Sequence, residues 1–304
     1  MKLPRERTAY SAIVDRAPLK LPGKARLVVW PIVNLEVWEI TRPMPRQVLP
    51  APSGVAVVPD FPNWAWHEYG MRVGFWRLKA ALERHGIIPT LSINAAVTLE
   101  YPRVAEAAKE AGWEFMGHSF VQMPIHQLDD QKAVIAKSLD TLEAFVGRRP
   151  RGWLGPGLTE TYETLDLLAA AGVEYIGDWV FDDQPARLET AHGPLVALPY
   201  TVEQNDIPMM IVQHHRADEL YSRTRDAFDR LYEEASVGSA RVLALAVHPY
   251  ISGVAHRIKY FEAILEYMKS REAVLFWTGE QILDWYLAAT KAAAKDKKKK
   301  ETKQ

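Results

Sequence analysis

The chain has 304 residues, enough to bury one large core, and its 37 Lys and Arg nearly cancel 38 Asp and Glu to leave a formal net charge of -1. No whole-chain basic field therefore points to nucleic acid or to an anionic membrane surface, and the absence of cysteine excludes disulfides, thiol nucleophiles and thiolate zinc sites. No apolar run approaches the roughly 18 residues needed to span a bilayer, so a soluble cytoplasmic protein acting on a small-molecule substrate is expected, with neither nucleic acid nor membrane as partner.

Residues 1–25, rich in Pro, Lys and Arg, read as an arm laid over the surface. The first apolar strand follows at Arg26 and ends in Asn34 and Glu36. A long Pro-rich connection from Trp38 to Tyr69 carries Trp64, Trp66, His67 and Tyr69; connections of this length are functional or disordered, and one this aromatic reads as pocket wall or subunit contact. Helix and strand then alternate to Leu287, with turn signals at His85-Gly86, Ala111-Gly112 and Ala171-Gly172. Ile135, Leu139, Leu142 and Val146 form one helical stripe, and Ile258, Phe261, Leu265 and Met268 another. Thr278-Gly-Glu-Gln281 has the pattern of a capping box. The Lys-rich segment 291–304 reads as a disordered, solvated tail.

Such alternation implies parallel strands joined by right-handed crossovers, hence an α/β architecture. No Gly-rich phosphate loop follows the first strand, which favours a (β/α) barrel over 26–290 to an open nucleotide-binding sheet. Several strands carry polar residues at the same end: Asn34 and Glu36, His118, Asp178, then Glu203, Asn205 and Asp206, and finally His248. Only the carboxyl-terminal rim of parallel strands collects residues so distant in sequence, so Glu36, His118, Asp178, Glu203 and His248 are expected to converge on one pocket.

Six blocks in order, Val33–Glu36, Glu68–Arg77, Gly117–Ser119, Asp182–Pro185, Leu198–Asp206 and His248–Gly253, resemble the polysaccharide deacetylase superfamily, and within it the branch of cofactor-free allantoinases. The resemblance implies a distorted (β/α) barrel of about seven parallel strands that hydrolyses carbon-nitrogen bonds outside peptides. It also makes a homo-oligomer, in particular a tetramer, the expected assembly, with the Trp-rich segment 61–69 at the contact. Glu36 falls on the position of the family's base, but its neighbour is Val37 where the metal-dependent members have a second acid. His118 matches the first metal histidine, yet Gln122 stands where the second belongs, and Leu154 replaces the arginine of the third motif. Two of three metal ligands are thus missing, and catalysis without a cofactor is expected. The alternative is Zn or another divalent metal held by Glu36, His118 and His126, with Glu39 a further substitute.

Glu36 is accordingly the candidate base, with burial expected to raise its pKa, His248 the candidate acid, and His118 the residue that positions water or polarises the carbonyl. Asn34, Trp153, Asp178, Asp183, Glu203 and Asn205 are the candidate substrate-binding residues. Each has a plainer competitor. Glu36 pairs with Arg72 or Arg77, Asp182 and Asp183 shape a turn, Asn205 and Asp206 cap the next segment, and Trp64, Trp66, Trp76 and Trp179 simply pack. Ring opening of a cyclic amide, imide or ureide is the leading expectation; a metal-dependent carbohydrate deacetylase and an inactive ligand-binding barrel are the alternatives.

Overall fold

The computed structural model describes residues 2–51 and 54–301. Nine strands form one curled sheet: β1 (Leu27–Leu35), β2 (Thr90–Ile93), β3 (Glu114–Gly117), β4 (Gly152–Trp153), β5 (Tyr175–Ile176), β6 (Ala186–Leu188), β7 (Leu195–Ala197), β8 (Arg241–Val247) and β9 (Val274–Phe276). Their order is β6-β7-β5-β4-β3-β2-β1-β8, with β9 set against the first half of β1. All pairings are parallel except β6 with β7. Eight parallel strands and one antiparallel strand thus stand where about seven parallel strands are expected. The excess comes from very short strands that carry little hydrophobic pattern of their own.

Among the described residues, the sheet does not close by strand pairing. Loop backbone covers the free edge of β8 instead: Val242 donates to the Asp183 carbonyl at 3.0 Å and Ala246 to the Gln204 carbonyl at 3.0 Å. Backbone donors on an exposed edge need partners, and these loops supply them.

Alternation along the strands separates two layers. Leu27, Val29, Val33 and Leu35 face the helices, whereas Val28, Trp30 and Ile32 face the barrel interior with Met116, Leu154, Tyr175, Tyr200, Val242, Ala244 and Ala246. The lower interior is filled by Trp30, which meets Tyr175 and Tyr200 edge-on at 6.3 and 6.2 Å between ring centroids. The same parity carries Asn34, Glu36, His118 and His248 inward at the upper rim, where packing gives way to polar side chains.

The helical stripes are buried largely as their spacing predicts: Ile135, Leu139 and Leu142 from Gln131–Val146, and Phe261, Leu265 and Met268 from Ile258–Lys269, with Val146 and Ile258 only half-buried. The last helix, Gly279–Glu301, departs from expectation at both ends. Its first donors go to the Thr90 hydroxyl at 2.9 Å and the Glu114 carboxylate at 3.1 Å, so only the Gln281 half of the capping box forms, at 2.9 Å to the Thr278 amide. It also runs on to Glu301 through the segment read as a disordered tail, an Ala- and Lys-rich stretch of high helix propensity; residues 302–304 lie outside the described ones. The amino-terminal arm is fastened by ion pairs from Arg7 to Asp166 at 2.8 Å and from Arg16 to Asp182 at 2.6 Å.

Candidate active site

Glu36 follows the end of β1 and is only 2% exposed. Its Oε2 accepts from the Trp38 indole at 2.7 Å and the Tyr250 hydroxyl at 3.0 Å. Its Oε1 lies 3.6 Å from His248 Nε2. On the other side of that ring, Asp206 Oδ1 meets His248 Nδ1 at 2.6 Å, while Asp206 Oδ2 accepts from the His248 amide at 2.8 Å and the Ser252 hydroxyl at 2.7 Å. Neither Arg72 nor Arg77 reaches Glu36: Arg72 pairs with Glu68 at 3.6 Å, and Arg77 donates to Tyr69 at 2.6 Å and the Gly253 carbonyl at 3.0 Å.

The buried His248 imidazole thus lies between two carboxylates, hydrogen-bonded to Asp206 through Nδ1 and close to Glu36 through Nε2. Burial opposes its charge, but the proximity of Asp206 and Glu36 prevails and raises His248 to about 9. Burial likewise opposes ionisation of Glu36, yet hydrogen bonding and charge from His248 prevail and lower it to about 2. This corrects the expectation of a raised carboxyl, because the adjacent imidazolium outweighs desolvation. His118 behaves differently. Burial lowers its pKa, and Nδ1 lies 2.5 Å from the Leu154 carbonyl, an acceptor only, so Nδ1 carries a proton and Nε2 of the neutral ring is an acceptor.

Two segments hold these groups in place. Helix α1 (Phe61–Tyr69) passes through a π-helical turn, Gly70–Gly74, into helix α2 (Phe75–Arg84). A Cβ on Gly74 would stand 2.0 Å from the Pro249 carbonyl oxygen, and one on Gly70 would stand 2.6 Å from the Tyr250 nitrogen. The glycines of Glu68–Arg77 therefore permit close approach to the loop that carries His248. A second π-helical turn, Ile207–Val212, begins directly after Asp206. Such turns recur beside functional sites. Asn94, at the end of β2, accepts from the Val37 amide at 2.9 Å and donates to the His118 carbonyl, tying two strand ends together.

Not every residue expected at the site is there. Trp153 is fully buried among Leu139, Leu165 and Leu168 on the helix side of β4, because strand parity sends Leu154 inward and its neighbour outward. Glu203 is exposed and pairs with Arg223 at 3.5 Å. Asp183 is exposed and lines a separate cavity of about 490 Å³ at the barrel seam, beside Arg16 and Tyr200. His126 is exposed on a single 3₁₀ turn, Ile125–Gln127. Asn205 is buried but caps the following turn, accepting from Ile207 at 2.9 Å, while its amide donates to Tyr200 at 3.0 Å. Asn34 does face inward, and its amide donates to the Val247 carbonyl at 3.4 Å. Asp178 is buried and accepts from the Gly155 amide at 2.6 Å; burial and nearby Glu160 push its carboxyl well above the usual range.

The donor set does not fit a divalent ion. Among the described residues, no three His, Cys, Asp or Glu side chains stand close enough to hold one. Val37 packs into the outer core, Gln122 stands in contact with Asn94, and Glu36 is already engaged by Trp38, Tyr250 and His248.

No family model matches the chain. A Schizosaccharomyces pombe protein grouped by name with the polysaccharide deacetylases is 27% identical over 234 residues, 71% of this chain and 73% of its own length. PuuE allantoinase superposes at a TM-score of 0.82, with 24% identity, over 95% of this chain and 98% of its own. A Pseudomonas aeruginosa PAO1 protein, also grouped by name with the polysaccharide deacetylases, superposes at 0.78 with 24% identity over 90% of this chain and 94% of its own. The chain has the polysaccharide deacetylase fold.

On this deacetylase fold, several residues outside the candidate catalytic and substrate-binding sets complete the rim. Asp206 ends one of the resembling blocks but reads equally well there as a cap. Tyr250 and Trp38 are recognisable only by the carboxylate oxygen they share. His67 lies parallel to Trp38 at 4.6 Å between centroids, and burial, against the pull of Glu36, lowers it to about 4. Trp66 packs edge-on against Trp38 and Tyr250, which makes the aromatic connection a wall of the site. No local pattern in the sequence joins these positions.

Proposed function

We propose that the chain is a hydrolase of non-peptide carbon-nitrogen bonds, opening a small cyclic amide, imide or ureide without a metal. The observation that carries this reading is the placement of His248 between Glu36, 3.6 Å from its Nε2, and Asp206, 2.6 Å from its Nδ1, two carboxylates that favour the charged ring. Amide hydrolysis needs a base for water and an acid for the leaving nitrogen, and Glu36 and His248 supply both in their reactive forms near neutral pH.

Glu36 Oε1 takes a proton from water as the water oxygen bonds to the carbonyl carbon. His248 Nε2 gives its proton to the ring nitrogen as the carbon-nitrogen bond breaks. The new carboxylic acid releases its proton to solvent, and the proton on Glu36 passes to His248, which restores both groups. His118 Nε2, an acceptor, orients the attacking water. Glu36 and the loop arginines Arg42 and Arg46 line a cavity of about 400 Å³, a volume suited to a small ring.

The test pairs a substrate screen with one variant. Cyclic ureides and imides are assayed beside N-acetylated sugars, with and without chelator. Turnover of a ring that survives chelation and falls by about 100-fold or more in Glu36→Gln supports the reading. Activity lost on chelation and restored by zinc, or full activity in Glu36→Gln, refutes it.

A further inference from the structure

The cavity above Glu36 is lined by two arginines that the proposed chemistry does not use. Arg42-Pro-Met-Pro-Arg46 spans its wall: Pro43 and Pro45 line it with both arginines, while Met44 between them is buried in the outer core. Two fixed backbone torsions and a buried anchor hold this stretch in shape. Beyond it, Asn63 of helix α1 accepts from the Val48 and Leu49 amides at 2.8 and 3.1 Å and donates to the Leu49 carbonyl at 2.9 Å.

The two arginines differ. Arg42 is largely exposed and already paired with Glu39 at 3.1 Å. Arg46 is half-buried, spends one donor on the Pro45 carbonyl at 3.1 Å, and makes no ion pair among the described residues; its buried Nε has no hydrogen-bond partner. The plainer role, balancing Glu36, is already filled by His248. A guanidinium that lines a cavity and has no ion pair keeps donors at its tip for a carboxylate. Two nearby carboxylates, Glu36 and Glu39, disfavour a dianion there, so the matching group is a singly charged carboxylate.

We infer that Arg46 is a specificity-determining residue that binds a carboxylate of the ligand in the Glu36 cavity. The inference takes its choice of probes from the ring-opening reading above. The carboxylate has two possible sources: a substituent on the ring, or the acid formed when the ring opens.

Titration calorimetry on the full chain separates them with two matched pairs. Hydantoin-5-acetate against hydantoin-5-acetamide tests a substituent; N-carbamoylglycine against its amide tests the opened product. In at least one pair the acid should bind tighter by about tenfold or more, the worth of a hydrogen-bonded charge. Arg46→Gln should abolish that preference and Arg46→Lys should keep part of it, with thermal melts confirming that both variants fold. Equal affinity of acid and amide in both pairs, no binding of either acid, or a preference that survives Arg46→Gln overturns the inference. Turnover is scored separately. Preference for an acid without hydrolysis of any ring would sink the ring-opening reading and leave the carboxylate site standing.

Discussion

Replacing Asp206 with Asn keeps its shape and removes its charge from beside His248. In the native protein His248 is raised from 6.5 to about 9 even though burial opposes it, a preference for the charged ring of about 3 kcal/mol. Asp206 is the largest of the raising influences, through both charge and hydrogen bond. Without it, burial acts against Glu36 alone, and the pKa should fall by about 2, to near 7. The imidazolium would then be about one-tenth populated at pH 8, with a matching loss of activity at that pH. The shift is read directly from ring nitrogen resonances of histidine-labelled protein titrated with pH, with His248 assigned by its loss in His248→Gln. The alkaline limb of kcat/KM should move with it. Linkage sets the sign for stability: the charged ring stabilises fully below pH 6.5 and loses that contribution as pH rises through about 9. A midpoint that remains near 9 in Asp206→Asn would refute the argument that this carboxylate holds the proton on His248.

Gly74→Ala should destabilise the protein by about 3 kcal/mol or more in denaturant unfolding, since a Cβ 2.0 Å from the Pro249 oxygen forces the His248 loop away; unchanged stability would show that the two segments are not in contact. Glu114, buried under the last helix, is pushed up to about 7 by burial despite donors from Thr90 and Tyr175. Its contribution is full below the ordinary carboxyl range and is lost as pH rises through 7. Melting temperature should therefore decline between about pH 4.5 and pH 7, and the part due to Glu114 should vanish in Glu114→Gln.

Much of the architecture is legible in the chain because it rests on local periodicity. Helical spacing places Ile135, Leu139 and Leu142, or Phe261, Leu265 and Met268, on one face whatever the partners are. Strand parity, counted from the apolar residues of β1 and β8, sends Glu36 and His248 to the same side. The choice of Trp153 in place of Leu154 shows how narrow that signal is: β4 has two residues, too few to count from, and one step reverses the side.

What depends on more than one strand end is not legible. Glu203 and Asp206 are three residues apart and equally polar; which one turns inward is decided by Ala246 on a neighbouring strand and His248 just past its end, which pair with the Gln204–Asp206 turn and draw Asp206 under the ring. The ionisation of Glu36 follows the same rule. Its sequence neighbours imply only burial, which raises a carboxyl, whereas an imidazolium 212 positions away lowers it to about 2. Residue types and their alternation determine which chemistry is available at the rim. Contacts across the barrel, between groups that have no covalent reason to meet, decide its charge state and therefore what it can do.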